Sequence, residues 1–187
     1  MLLRSGLWQF SIPVPRTGSA IPPFHCPMCP SKRLSRIGMD DMIAGGCQCG
    51  AIRYSLAGPL PPAYACHCGE CKKQSASAFS MSIPLDYDQL QVEGTPISFT
   101  TTAFSGRAKH NFFCANCGTR LWHSGSIPPD SITLKVGSLD DSSGIAPQGH
   151  LWVSKKQAGI KLDQAIEQFD TQPDDVTEWR GNLGQNS

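Results

Sequence analysis

Six consecutive residues, Cys66-His67-Cys68-Gly69-Glu70-Cys71, carry three thiols, and two cysteine pairs frame them: Cys47-Gln48-Cys49 before and Cys114-Ala115-Asn116-Cys117 after. This spacing constrains the chain more than any other feature. Side chains alternate faces along an extended strand, so Cys47 and Cys49 share one face, and Cys66 and Cys68 share another with His67 turned away. A Cys-x-x-Cys turn lets two sulfurs converge on one ion. Cys114 and Cys117 have that form, and Gly118 behind them can take positive φ at little cost. Zinc prefers four tetrahedral ligands, with sulfur at about 2.3 Å. Cys47, Cys49, Cys114 and Cys117 make one complete set of four. Cys66, Cys68 and Cys71 make a set of three, and three protein ligands with one open position is the pattern of a catalytic zinc. The expectation is two Zn2+ ions per chain, one structural and one open. Zinc is preferred to iron because an Fe–S cluster usually takes all four ligands from cysteine.

Two other readings of the cysteines exist. Disulfides would leave at least one of the nine thiols unpaired. Near neighbours such as Cys66 and Cys68 are also too close in sequence to bridge comfortably. With no secretory signal evident, a reducing, cytoplasmic setting is expected. Alternatively both metals are structural, with His67 or another residue closing the three-sulfur set. Cys26 and Cys29 form a lone pair that offers a third ion only two ligands.

The remaining chain reads as one domain with an extension. Residues 1–39 hold Arg4, Arg16, Lys32, Arg33 and Arg36, with no acid and six prolines. Those prolines forbid a long helix. Residues 1–41 are therefore expected to be a disordered or mis-started extension, weakly similar to an organellar targeting segment. The domain is expected over 42–172, followed by a polar tail over 173–187. Beyond residue 39, 11 basic residues face 15 acidic ones, a formal −4. That balance argues against a specific nucleic-acid surface. No run is long and apolar enough for a membrane span.

Short alternating stretches predict strands over 51–56, 63–67, 78–84, 97–104, 108–114, 120–123, 132–136 and 148–154, with a turn or helical piece over 86–90. Frequent turn residues between them point to a mainly β architecture. Residues 68–71 are expected to turn around Gly69. Leu162, Ala165, Ile166 and Phe169 have helical spacing, so at most one short C-terminal helix is expected. Lys72 and Lys73 could offset thiolate charge or receive a substrate carboxylate. Proton-transfer candidates are Glu70, placed between two ligands, and His67, His123 and His150.

The run Gly45-Gly46-Cys47-Gln48-Cys49-Gly50-Ala51-Ile52-Arg53-Tyr54 resembles the opening of the glutathione-dependent formaldehyde-activating enzyme family, which includes centromere protein V. The resemblance continues through Cys66 to Lys73, Ser77 to Phe79, Phe113 to Thr119, Val136 to Asp141 and His150 to Val153. It implies a β-tent-like fold of short antiparallel strands held by zinc knuckles. It also implies a carbon–sulfur lyase that adds a thiol to an aldehyde, with glutathione and formaldehyde as partners and S-(hydroxymethyl)glutathione as the adduct. Cys66, Cys68, Cys71 and Glu70 are then the catalytic candidates. A different class, also implied by centromere protein V, is a zinc-stabilised binding or scaffold module without catalysis.

Overall fold

A computed structural model describes residues 42–185. Its elements in chain order are β1 (Ile43–Gly46), β2 (Arg53–Leu56), β3 (Ala63–Cys66), α1 (Gly69–Ser75), β4 (Ser80–Asp86), β5 (Leu90–Glu93), β6 (Ile97–Thr102), β7 (Ala108–Phe113), β8 (Arg120–Ser124), β9 (Ser131–Lys135), β10 (Pro147–Leu151), β11 (Glu167–Phe169) and α2 (Val176–Gly181). The strands form a three-stranded sheet, β1-β2-β5, and an eight-stranded sheet in the order β11-β10-β3-β4-β9-β8-β7-β6. The chain is mainly β, as its alternating segments predict. Readings that fall on residues 1–41, including Cys26 and Cys29, lie outside the described residues. No helix among the described residues is long and apolar enough to cross a membrane.

The larger sheet has two chemically distinct faces, and its register shows why. Ile83 on β4 pairs with Leu134 on β9, which pairs with Trp122 on β8, which pairs with Phe112 on β7. This apolar row packs with Ile52, Tyr54 and Leu56 of the smaller sheet into the main core. Each such aliphatic side chain contributes about 1.5–3 kcal/mol on burial. One step along, on the opposite face, Tyr64 pairs with Ser82, which pairs with Lys135. Thr133, His123 and Asn111 form a neighbouring polar row across β9, β8 and β7.

A bulge keeps these faces in phase. Phe112 pairs with Trp122, but Phe113 pairs with Arg120, so Leu121 is the extra residue. Leu121 and Trp122 both enter the apolar core. Strict alternation would put Leu121 beside His123. Instead the extra residue leaves Arg120 on the polar face, where its Nη2 donates to Asn111 Oδ1 at 2.6 Å.

The sheet is strongly coiled. Strands β10 and β6 are six places apart, about 29 Å in a flat sheet at ~4.8 Å per strand. Yet Phe104, just after β6, meets Trp152, just after β10, edge-on at 4.9 Å between ring centroids. The polar face therefore lines the inside of a trough. Trp152 is held at φ 60°, a left-handed conformation unusual for a bulky residue. Its N–H donates to Thr171 O at 2.6 Å.

Four details differ from the sequence reading. Residues 68–71 do not form a simple turn but open α1: Cys68 is its N-cap, and its sulfur accepts from the Cys71 N–H at 3.4 Å. The helical spacing in 161–170 yields no helix. Glu167–Phe169 instead pairs parallel to β10, which also runs parallel to β3, so the sheet is not wholly antiparallel. The short C-terminal helix is α2, and the described residues 173–185 are more than a polar tail. Trp179 and Leu183 are buried in a cluster with Tyr64, Cys66 and Cys71, and Asp175 caps α2 by accepting from the Thr177 and Glu178 amides. The strand predicted over 148–154 stops at Leu151, because Trp152 leaves extended geometry.

Candidate metal centres

The four cysteines Cys47, Cys49, Cys114 and Cys117 come from separate elements. The first two follow β1, and the last two form the connection between β7 and β8. Their sulfurs all lie within 4.8 Å of one another. Cys47 Sγ is 3.5 Å from Cys49 Sγ, and Cys49 Sγ is 3.7 Å from Cys114 Sγ. A disulfide needs about 2.05 Å, so these are thiols in contact. A tetrahedron with metal–sulfur distances of about 2.3 Å has edges of about 3.8 Å, which these separations match.

The local backbone is built around the sulfurs. Ile52 N–H donates to Cys47 Sγ at 3.2 Å. The Thr119 hydroxyl lies 3.2 Å from Cys117 Sγ and also accepts from Gln48 N–H at 3.1 Å, tying the two halves together. Hydrogen bonds from Thr119 hold the Cys117 thiol down at about 6. Gly118 takes φ 73° so that its N–H can reach Cys114 O at 2.9 Å. Nearby, Gly45 needs its missing side chain: a Cβ would fall on the Tyr54 ring and Ser138 O. The Tyr54 hydroxyl and Ser138 Oγ lie 2.8 Å apart beneath it. This set joins the smaller sheet to the larger.

The second set, Cys66, Cys68 and Cys71, also has its sulfurs within 4.8 Å of one another. Cys66 ends β3, Cys68 caps α1, and Cys71 occupies its first turn. Among the described residues this group contains three donors of the His, Cys, Asp or Glu type. The sulfurs are unequal. Hydrogen bonds from Cys66 and Cys68 hold the Cys71 thiol down at about 2, while the same contacts push the Cys66 thiol up. Three thiolates at such range repel, and a divalent cation between them is what lets all three ionise. Either set could hold a metal ion, and both donor sets suit zinc.

The surroundings of the second set were not apparent from the sequence. Lys72, a candidate for offsetting thiolate charge, donates to Lys155 O at 2.7 Å. Positive charge arrives from the trough. Lys135 is only 5% exposed, and its Nζ donates to Ser82 Oγ at 2.8 Å. Burial pushes its ammonium down to about 7, against the pull of Cys71. Arg120 is likewise pushed down by burial, to about 10, opposed first by Cys71. The one available signal was a lysine in the polar phase of the strand around Leu134.

The other candidates separate clearly. Glu70 lies at the exposed start of α1 and accepts from Lys109 Nζ at 3.0 Å. His67 is fully buried and turned from the sulfurs, with its Nε2 3.1 Å from His150 Nδ1. Burial first, and then the neighbouring His150, push His67 down to about 4. His123 lies on the polar face, where burial drives it well below the usual imidazole range. Its Nδ1 has no partner among the described residues.

The chain is similar to known proteins. A Halomonas elongata protein named "Putative glutathione-dependent formaldehyde-activating enzyme" is 25% identical over 152 residues, covering 76% of this chain and 97% of that protein. A crystal structure of a Rhodobacter sphaeroides protein overlaps 56% of this chain and 91% of its own at a TM-score of 0.40 and 21% identity. The family pattern described as glutathione-dependent formaldehyde-activating enzyme matches residues 42–155, a span that holds both cysteine sets and the strands that carry them. The chain thus belongs to the glutathione-dependent formaldehyde-activating enzyme family.

Proposed function

We propose that this chain is a zinc-dependent carbon–sulfur lyase that forms or cleaves S-(hydroxymethyl)glutathione or a similar small thiol–aldehyde adduct. One observation carries the reading: a three-sulfur group beside a buried, positively charged trough, in a chain of this family. Cys47, Cys49, Cys114 and Cys117 hold a structural zinc that joins the sheets. Cys66, Cys68 and Cys71 would hold a second zinc, which would supply the positive charge that lowers the pKa of a substrate thiol.

The chain's own residues supply the rest. In the forward direction the thiol sulfur bonds to the carbonyl carbon. The C=O π pair moves onto oxygen, and the proton lost by sulfur ends on that oxygen. No electrons are exchanged with a cofactor. Glu70, held by Lys109 at the outer edge of the site, takes the thiol proton and returns it to the adduct oxygen. The reverse path cleaves the adduct. An open hollow of about 520 Å³ beside Gly69, Lys73 and Gln157 gives the substrate's charged ends room next to α1. The free thiols of both sets suit a reducing setting such as the cytoplasm.

Exchange NMR with glutathione and ¹³C-formaldehyde tests the reading. Catalytic amounts of the zinc-loaded protein should broaden or cross-correlate the free and adduct signals at rates well above the buffer reaction. An exchange rate identical to buffer would exclude the lyase.

A further inference from the structure

Among the described residues two ion pairs form, Arg53–Asp140 and Lys109–Glu70. Neither Lys135 nor Arg120 is in one. Both lie on the polar face of the eight-stranded sheet, the face that also carries Cys66. Register places them there: Cys66 pairs with Ser80, two residues from Ser82, which pairs with Lys135. Arg120 reaches the same face through the bulge at Leu121.

Among the described residues each side chain makes one hydrogen bond, to Ser82 Oγ and to Asn111 Oδ1 respectively. Both of those partners are neutral and only 1% exposed. Arg120 Nε is buried without a partner, as is His123 Nδ1 on the same face. Arg180, the next cation along, is already engaged: its Nη2 donates to the Tyr64 hydroxyl at 2.6 Å, and its guanidinium lies over the Tyr64 ring.

Buried charges without counter-ions are costly, so the cluster asks for negative charge. Three thiolates on a divalent cation supply only −1. With Lys135 protonated, it and Arg120 together carry +2. An unmet positive charge remains, and a neutral fourth ligand would leave it so.

We propose that Lys135 and Arg120 select an anionic fourth ligand for the Cys66–Cys68–Cys71 set, an organic thiolate in preference to a neutral thiol, water or an aldehyde oxygen. The inference rests on the metal reading given above and names the two residues that determine the charge of what binds. It places the positive charge on the rigid sheet rather than on Lys72 and Lys73 of α1.

The test is calorimetric titration of 2-mercaptoethanol, which carries no charge besides its thiol, into the full zinc-loaded chain. Repeating it in two buffers of different ionisation heat counts the protons released. The wild-type protein should release close to one proton per thiol bound at about pH 6, below the Lys135 value of about 7, where the lysine already carries its proton. Lys135→Met and Arg120→Met should each weaken thiol binding about 10- to 100-fold, the scale of a lost charge-assisted contact. Zinc content should stay at two ions per chain in both. Lys135→Arg should restore most of the affinity, which a packing role for the side chain would not produce. Binding without proton release, or wild-type affinity in both methionine variants, would overturn the proposal. One zinc per chain would overturn the proposal together with the metal reading. Thiolate binding with normal proton release but no accelerated adduct exchange would leave this inference standing and remove the lyase alone.

Discussion

The two cysteine sets use the same ligand chemistry in opposite settings. The four-sulfur set lies where the sheets meet, and its neighbours are backbone amides, the Thr119 hydroxyl and a glycine turn. Every feature there holds the sulfurs in place. The three-sulfur set lies where β3 passes into α1 and packs with Tyr64, Trp179 and Leu183, while cationic side chains of the trough act on it electrostatically. The contrast shows how one domain can use sulfur both as a fastener and as a working surface. What differs is the number of donors and the charge of the wall behind them.

The sharpest way to break this comparison is a pair of substitutions. Cys114→Ala should unfold or severely destabilise the chain, because a structural zinc supplies folding free energy directly. Cys68→Ala should keep a cooperative thermal transition and lose adduct exchange. Both are read by calorimetry and by zinc content. Equal collapse of the two variants would show that the sets share one structural role.

A smaller effect sharpens the boundary between them. Trp179→Ala removes a ring that packs edge-on against Tyr64 at 5.6 Å and whose Nε1 donates to Glu167 at 2.6 Å. Its cluster includes Cys66 and Cys71 but none of the four-sulfur set. The loss should be about 3 kcal/mol in denaturant unfolding. A chelator should then strip the second zinc earlier than in the wild type while the first remains. Simultaneous release of both ions would contradict the separation.

The smallest effect concerns the smaller sheet. Arg53 pairs bidentately with Asp140, and that contact holds the Asp140 carboxyl below its ordinary value. A depressed carboxylate stabilises the fold above its unfolded pKa and loses that contribution as pH falls through its folded pKa. Arg53→Gln should therefore lower the melting temperature slightly at pH 7 and leave it unchanged at pH values low enough to protonate Asp140. Both groups are well exposed, so the shift should shrink in high salt. A difference that persists at low pH would assign Arg53 a role in packing rather than charge.

The ligand sets and most strands could be read from the chain because both are local patterns. Cys66 and Cys68 share a face because extended backbone alternates, and Ile132 and Leu134 reveal β9 for the same reason. The family resemblance rested on the same ordered motifs. Strand β1 was missed because Ile43-Ala44-Gly45-Gly46 carries little alternation, and β5 because its Leu90-Gln91-Val92-Glu93 alternation lasts only four residues. The helix expected near Leu162 gave way to β11, where pairing with β10 overrode a weak 3.6-residue period.

The sequence by itself determined which sulfurs are available, in which local groups, and that alternating strands would carry them. Only the tertiary structure decided that the larger sheet coils into a trough, that a bulge at Leu121 rotates Arg120 inward, and that Lys135 is buried on the face that carries Cys66 rather than in solvent. Spacing along a chain controls neighbours a few residues apart. The charge felt at a metal site comes from strands distant in sequence, and their approach depends on register, twist and packing that no local pattern contains.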